Sequence, residues 1–300
     1  MSITTEGQLR IGNASLYTKT WTPEGPVKAK LIFVHGFGEH INCYNDFFPR
    51  LAEHGIQVFG WDQRGWGRSV VMPSQRGQTG PTSLVMSDIV AFIEDKLPSD
   101  APIFVMGHSM GGGEVLTLAS DAANDKLIEQ IRGWIGESAF IGFSPGEEPS
   151  RVTMFLGRLF GRLLPNQQLT HVIPLQRLSR DRAVVEALKD DPLRYQMGTL
   201  EGIASLLDRT AALASGTAPA RKAVRSLFLA HGTQDKTCSF DAAMKYYEEQ
   251  KVEDKSAKAY QGAYHSLHLD YCKHEFATDL VGWILSRSGV AVSSQPEPKL

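Results

Sequence analysis

Ser109 lies between Gly107 and Gly111 in the run FVMGHSMGGGE, residues 104–114. A serine hydroxyl is a poor nucleophile until a histidine takes its proton and an acid fixes that histidine's tautomer. Both partners follow downstream. Asp235 stands in HGTQDKTC, residues 231–238, and His265 in QGAYHSLH, residues 261–268, giving the chain order Ser, Asp, His. The negative oxygen of a tetrahedral intermediate needs backbone N–H donors aimed at it. Phe37, in VHGFGEH (residues 34–40), and Met110, directly after the serine, are the two candidates. This set spells acyl transfer, with Ser109, Asp235 and His265 as catalytic candidates.

The elements around these residues explain their placement. Glycine in an ordered element costs about 0.5–1 kcal/mol relative to alanine, so four around one serine require a geometric reason. The apolar run 103–106 reads as a short buried strand, and the stretch from Glu114 to Ala119 as helix. Ser109 therefore sits on a tight strand-to-helix turn in which strand and helix approach too closely for a Cβ at Gly107 or Gly111. A phosphate-binding loop would want a following Lys and Ser/Thr, or dinucleotide glycine spacing, and the run has neither. Further apolar strands are expected at 30–34, 56–61, 131–136, 224–230 and 256–260. Continuous apolar strands alternating with helical segments imply a mostly parallel central sheet flanked by helices, an α/β fold. In such a fold the functional loops lie at the carboxyl ends of the strands, where all the candidates fall.

Bulk properties narrow the classes. The chain has 300 residues and a formal charge of -2 with acids and bases interspersed, which argues against nucleic acid as a partner. The three cysteines, Cys43, Cys238 and Cys272, are widely spaced and form no C-x-x-C pair, as expected in a reducing compartment. The N-terminal residues show no secretory-signal pattern, and no run of eighteen apolar residues occurs. The expectation is a cytoplasmic enzyme that needs no cofactor and no metal. Residues 1–140 and 223–288 are assigned to the core, 141–222 to an inserted cap, and 289–300 to a disordered tail.

The inserted segment should read the substrate. RVTMFLGRLFGRLLP, residues 151–165, places Val152, Phe155, Leu156, Leu159, Phe160 and Leu163 on one helical stripe, with Arg151, Arg158 and Arg162 beside it. Two compatible roles are open to it: packing on the core, or a lid that lines an acyl tunnel and touches a membrane, its arginines reaching anionic headgroups. Each buried methylene is worth about 0.8 kcal/mol, so an apolar tunnel favours a long acyl chain. Phe155 and Leu159 are the acyl-contact candidates.

Several other residues are read as structural. His108 follows the opposite direction from Ser109 and is assigned to the pocket wall, while His35 and Gly36 shape their loop. His231 is assigned to packing, and WDQRGWGRS, residues 61–69, to a structural loop. His268, Asp270, Cys272 and His274 recur at every second position like ligands, but match no metal motif and are read as polar surface.

HGFGEH, DQRGWGRS, GHSMGG, SRDRAVVEALKDDPL, HGTQDKTC and GAYHSLH together resemble the monoacylglycerol lipases of the α/β-hydrolase superfamily, over about residues 31–286. The resemblance implies the α/β-hydrolase fold and cleavage of a monoacylglycerol to fatty acid and glycerol at a membrane or lipid-droplet surface. It implies a triad at Ser109, Asp235 and His265 and a reactive cysteine at Cys238; Glu39, His108 and Cys238 join Phe155 and Leu159 as substrate-contact candidates. The chain departs from the animal pattern at Cys43, where an arginine is expected, and near Leu188, where a pocket tyrosine is expected. Alternatives with the same residues are a lysophospholipase or general carboxylesterase, and a relative that binds ligand without turnover.

Overall fold

The structure is a computed structural model describing residues 2–289, so the expected disordered tail, save its first residue, and the Arg151 side chain lie outside the described residues. A hairpin of β1 (Ser2–Ile11) and β2 (Ala14–Pro23) opens the chain. It is followed by β3 (Ala29–Val34), α1 (Phe48–Glu53), β4 (Ile56–Trp61), α2 (Thr82–Glu94) and β5 (Ile103–His108). Next come α3 (Met110–Leu118), α4 (Asp125–Ile128) and β6 (Ile131–Glu137). The segment before the next core strand holds α5 (Arg151–Leu163), β7 (Gln168–Thr170), α6 (Arg182–Lys189), β8 (Met197–Thr199) and α7 (Leu200–Ala214). β9 (Ser226–Gly232), α8 (Phe240–Glu249), β10 (Asp254–Tyr260) and α9 (Lys273–Leu285) complete the described chain.

Eight strands form one sheet in the order β1-β2-β4-β3-β5-β6-β9-β10, antiparallel only at the β1–β2 and β2–β4 pairings. The six expected strands are present, with ends shifted by a few residues. β3, β5, β6 and β9 are buried along almost all of their length and mostly apolar because both faces are covered. One apolar layer holds Ile32, Val105, Trp134 and Leu229, and the opposite layer holds Phe33, Phe104, Ile135 and Phe228. The sequence reading did not identify the β1–β2 hairpin. β1 is an edge strand, exposed along most of its length, so its sequence lacks the apolar alternation of a half-buried strand.

The sheet fixes what its carboxyl edge presents. Phe37 follows β3, Ser109 follows β5, Glu137 ends β6, Asp235 follows β9, and His265 follows β10. The five connections from β3 to β10 thus deliver residues from positions more than 200 apart to one edge.

Candidate active site

Ser109 adopts φ 54° and ψ -119°, a region that a side chain enters only under strain. The turn is held by its neighbours: the Ser109 N–H donates to the Glu137 carbonyl at 3.0 Å, and its own carbonyl accepts from Phe140 N–H at 2.9 Å and Gly113 N–H at 3.1 Å. A Cβ on Gly107 would collide with the Gly111 backbone, and one on Gly111 with the carbonyls of Val34 and His35. These two glycines let α3 start directly against β3 and β5, which leaves the serine side chain at the turn's apex.

His265 Nε2 lies 2.9 Å from Ser109 Oγ, and His265 Nδ1 lies 2.8 Å from Asp235 Oδ2. With the carboxylate facing Nδ1, the ring proton is placed there and Nε2 is left to accept the serine proton. The other carboxylate oxygen of Asp235 accepts from the N–H groups of Thr237 at 2.7 Å and Cys238 at 3.0 Å. Burial opposes charge on Asp235, yet His265 and His231 hold its carboxyl far below the usual range. Burial likewise opposes charge on His265, and Asp235 overrides it, holding the imidazole well above the ordinary histidine value.

His231 is more than packing. Its Nε2 is 3.0 Å from Asp235 Oδ2, so it shares the oxygen that orients His265. The signal for it was present in the sequence as a histidine four residues before the candidate acid, on the same strand-to-loop passage.

The turn after β3 runs against the nucleophile. A Cβ built on Gly36 would lie 3.2 Å from Ser109 Cβ and 3.2 Å from the His108 ring, which brings the neighbouring Phe37 backbone to the same place. Glu39 braces this turn, its Oε2 accepting from Gly36 N–H at 3.0 Å and from the Tyr44 hydroxyl at 2.5 Å. Glu39 is buried, and against that burial the neighbouring His108, Arg194 and His268 hold its carboxyl far below the ordinary range. His40, next in sequence, donates across to the segment between β6 and β9, with Nε2 2.8 Å from Asp191 Oδ2. The GEH and DPL motifs are therefore two sides of one contact.

His108 is fully buried, its ring 4.8 Å from that of His265, and burial pushes its pKa down to about 4. It is a neutral wall of the site. Arg194 was absent from the sequence-based candidates, yet it is buried with Nη1 3.5 Å from Glu39 Oε1 and 3.6 Å from Cys43 Sγ. It places a guanidinium beside Cys43, where the animal pattern carries an arginine. Its only sequence signal was its position just after DPL.

Cys238 is buried with Sγ 4.0 Å from Ser109 Oγ, and burial raises its thiol pKa. Leu188 is half-buried on α6. Phe155 and Leu159 lie apart from the triad, on the exposed face of α5. The reading of His268, Asp270, Cys272 and His274 as polar surface is corrected for its first two members. His268 and Asp270 are buried because each is enclosed by ionic partners, Glu137 at 2.7 Å and Arg180 at 2.8 Å respectively. The 61–69 loop is structural in its contacts: Arg64 forks onto Asp88, and Gln63 N–H donates to His35 Nε2 at 2.9 Å.

The family model described as serine aminopeptidase, S33, matches residues 25–271. A putative monoglyceride lipase of Schizosaccharomyces pombe is 34% identical over 283 residues, covering 92% of this chain and 72% of that protein. The monoglyceride lipase of Mus musculus is 27% identical, covering 94% and 90% respectively. In three dimensions the chain resembles a soluble variant of monoglyceride lipase from Saccharomyces cerevisiae, solved with a substrate analog. The TM-score is 0.84 at 23% identity, covering 96% of this chain and 98% of that one.

Proposed function

Because the chain belongs to the monoglyceride lipase branch of the serine aminopeptidase S33 family of α/β-hydrolases, we propose that it cleaves monoacylglycerol to free fatty acid and glycerol through an acyl-enzyme on Ser109. The observation that carries the reading is the unbroken line from Asp235 through His265 to Ser109 Oγ, at 2.8 and 2.9 Å. Ser109 Oγ attacks the ester carbonyl as His265 Nε2 takes its proton. The oxyanion is received by the N–H groups of Phe37 and Met110. His265 then protonates the glycerol oxygen, and a water activated by the same nitrogen releases the fatty acid.

Glu39, His108 and Arg194 support a hydroxyl-bearing leaving group. They are buried, polar and grouped where the turn after β3 meets Ser109. Arg194 Nε is buried without a hydrogen-bond partner, so a leaving group bearing a hydroxyl satisfies a donor that an alcohol lacking one leaves unpaired. The Glu39 carboxylate also disfavours a phosphate headgroup, which weighs against a lysophospholipase.

Residues 141–222 serve as the cap in this reading, between a strand ending at Glu137 and one starting at Ser226. Its helix α5 exposes Val152 (67%), Phe155 (65%) and Leu163 (66%), with Leu156, Leu159 and Phe160 also exposed. An amphipathic helix presenting such a face suits shallow insertion into a membrane or lipid droplet. No helix among the described residues is long and apolar enough to cross a membrane. Arg158 is bound to Asp208 at 2.7 Å, so its headgroup role requires exchange of that partner.

The test is a panel of monoacylglycerol, diacylglycerol, lysophosphatidylcholine and a short nitrophenyl ester, run on the native chain and on Ser109→Ala with a fluorophosphonate label. Labelling at Ser109 with fastest turnover of monoacylglycerol supports the proposal. Faster turnover of lysophosphatidylcholine overturns the substrate, and binding without turnover overturns the activity.

A further inference from the structure

We propose that His108, Glu137 and His268 form an inhibitory site for a divalent transition-metal ion of the zinc class, entered through the surface groove that ends at His268. The three side chains come from the end of β5, the end of β6 and the loop before α9, and all are buried. One ligating atom from each lies within 4.8 Å of the other two. His108 Nδ1 is 3.6 Å from Glu137 Oε2, and His268 Nδ1 is 2.7 Å from Glu137 Oε1. Tetrahedral zinc with bonds of about 2.0–2.1 Å spaces neighbouring ligand atoms roughly 3.3 Å apart, and the two separations to Glu137 lie on either side of that value.

The polar groups here are incompletely satisfied. Both ring nitrogens of His108, Nε2 of His268 and Oε2 of Glu137 have no hydrogen-bond partner. Buried polar atoms left unpaired cost about 1–3 kcal/mol each, and one cation would engage His108 Nδ1 and Glu137 Oε2 together. Outer contacts suit ligation as well. The far nitrogen of His108 faces Glu39 at 3.9 Å, Glu137 Oε1 accepts from the His268 N–H at 3.1 Å, and the Tyr44 ring lies 4.5 Å from that of His268.

A way in also exists. A groove of about 460 Å³ reaches His268 from the surface, bordered by Asp46, Arg50 and Glu53, by Val184 on α6, and by Lys273. A second group of ligand type, His40, Cys43 and Asp191, is a poorer cation site. The Arg194 guanidinium lies 3.6 Å from Cys43 Sγ, so a positive charge already occupies its side.

Inhibition follows from position. The His108 ring packs 4.8 Å from His265, which must become an imidazolium in the transition state. A dication held by His108 opposes that charge, so kcat should fall with little change in KM for a soluble short ester.

The experiment is titration of the full chain with Zn²⁺ in chelator-treated buffer, reading ester turnover, together with the visible spectrum of the Co²⁺-loaded protein. One equivalent bound, a tetrahedral nitrogen/oxygen Co²⁺ band and a fall in kcat are expected. Glu137→Gln and His268→Gln should each raise the inhibitory zinc concentration at least tenfold, while Cys43→Ser should not. Zinc sensitivity retained in folded Glu137→Gln or His268→Gln, or lost in Cys43→Ser, overturns the site. Should both core variants fail to fold, a native Co²⁺ spectrum with sulfur charge-transfer bands, or with no tetrahedral band, overturns it equally.

Discussion

Around Ser109, side chains from four strand ends are locked to one another at hydrogen-bond distance. On α5, by contrast, six large apolar residues are exposed, Val152, Phe155 and Leu163 over about two thirds of their surface and the others over 42–44%. The first region is strained, buried and charged, and the second is exposed and apolar. The contrast separates two demands on a lipid-cleaving enzyme. Bond cleavage needs groups held in advance where charge develops, whereas access to an acyl chain in a bilayer needs a surface that gains free energy only when lipid is present. Damage to the strand-end region should therefore act on every ester, and damage to α5 only on esters presented in lipid.

The largest effect tests the first half of that contrast. Ser109→Ala should abolish turnover of short ester and monoacylglycerol alike while leaving vesicle binding and thermal unfolding unchanged. Residual turnover above a trace would move the nucleophile elsewhere. Asp235→Asn should cost about ten-thousandfold in kcat if the tautomer is lost as in other serine triads. Its pH profile carries a sign. Asp235 raises the His265 pKa, so removing the carboxylate should move the acid limb of kcat/KM to lower pH, where native enzyme is already protonated and inactive. An acid limb that stays in place would break the coupling of the pair.

A smaller and more selective loss is expected at Arg194, which the segment between β6 and β9 brings to Glu39. Arg194→Met removes a charge-assisted contact worth about 1.5–3 kcal/mol, so monoacylglycerol turnover should fall roughly 10–100-fold relative to an alkyl ester without hydroxyls. Equal losses on both esters would mean that Arg194 only braces Glu39 and reads no alcohol.

The same division explains what could be read from the chain. Residues of the strand-end region announce themselves because their geometry restricts residue type: only glycine fits at 107 and 111, and the apolar runs of β3, β5, β6 and β9 identify strands covered on both faces. Chain order then placed Ser109, Asp235 and His265 at neighbouring strand ends. Contacts between distant loops left no such trace. Nothing local shows that Arg194 turns inward to Glu39, and spacing of two from His268 to His274 mimicked a surface pattern until partners on β6 and the segment before α6 buried its first half. In the β1–β2 hairpin, β1 went unread because an exposed edge strand carries no burial signal, whereas β2, with Leu16, Tyr17 and Trp21 buried, did carry one.

The smallest effects concern α5. Phe155 is 65% exposed, so Phe155→Asp removes little packing and should leave folding and short-ester hydrolysis intact. If the residue enters lipid, burial of such a ring contributes about 1.5–3 kcal/mol, and the charged variant should lose roughly tenfold or more in vesicle affinity. Long-chain monoacylglycerol turnover should fall in parallel. Leu159→Asp should do the same more weakly, being less exposed at 42%. Arg158→Glu probes the flanking charge: it breaks the 2.7 Å contact with Asp208 and reverses the local sign. Its binding to anionic vesicles should fall more than its binding to neutral ones, with the gap closing as salt is raised. If all three variants bind vesicles like the native chain while remaining folded, α5 is not the lipid-facing element. The contrast between the two regions would then be one of packing alone.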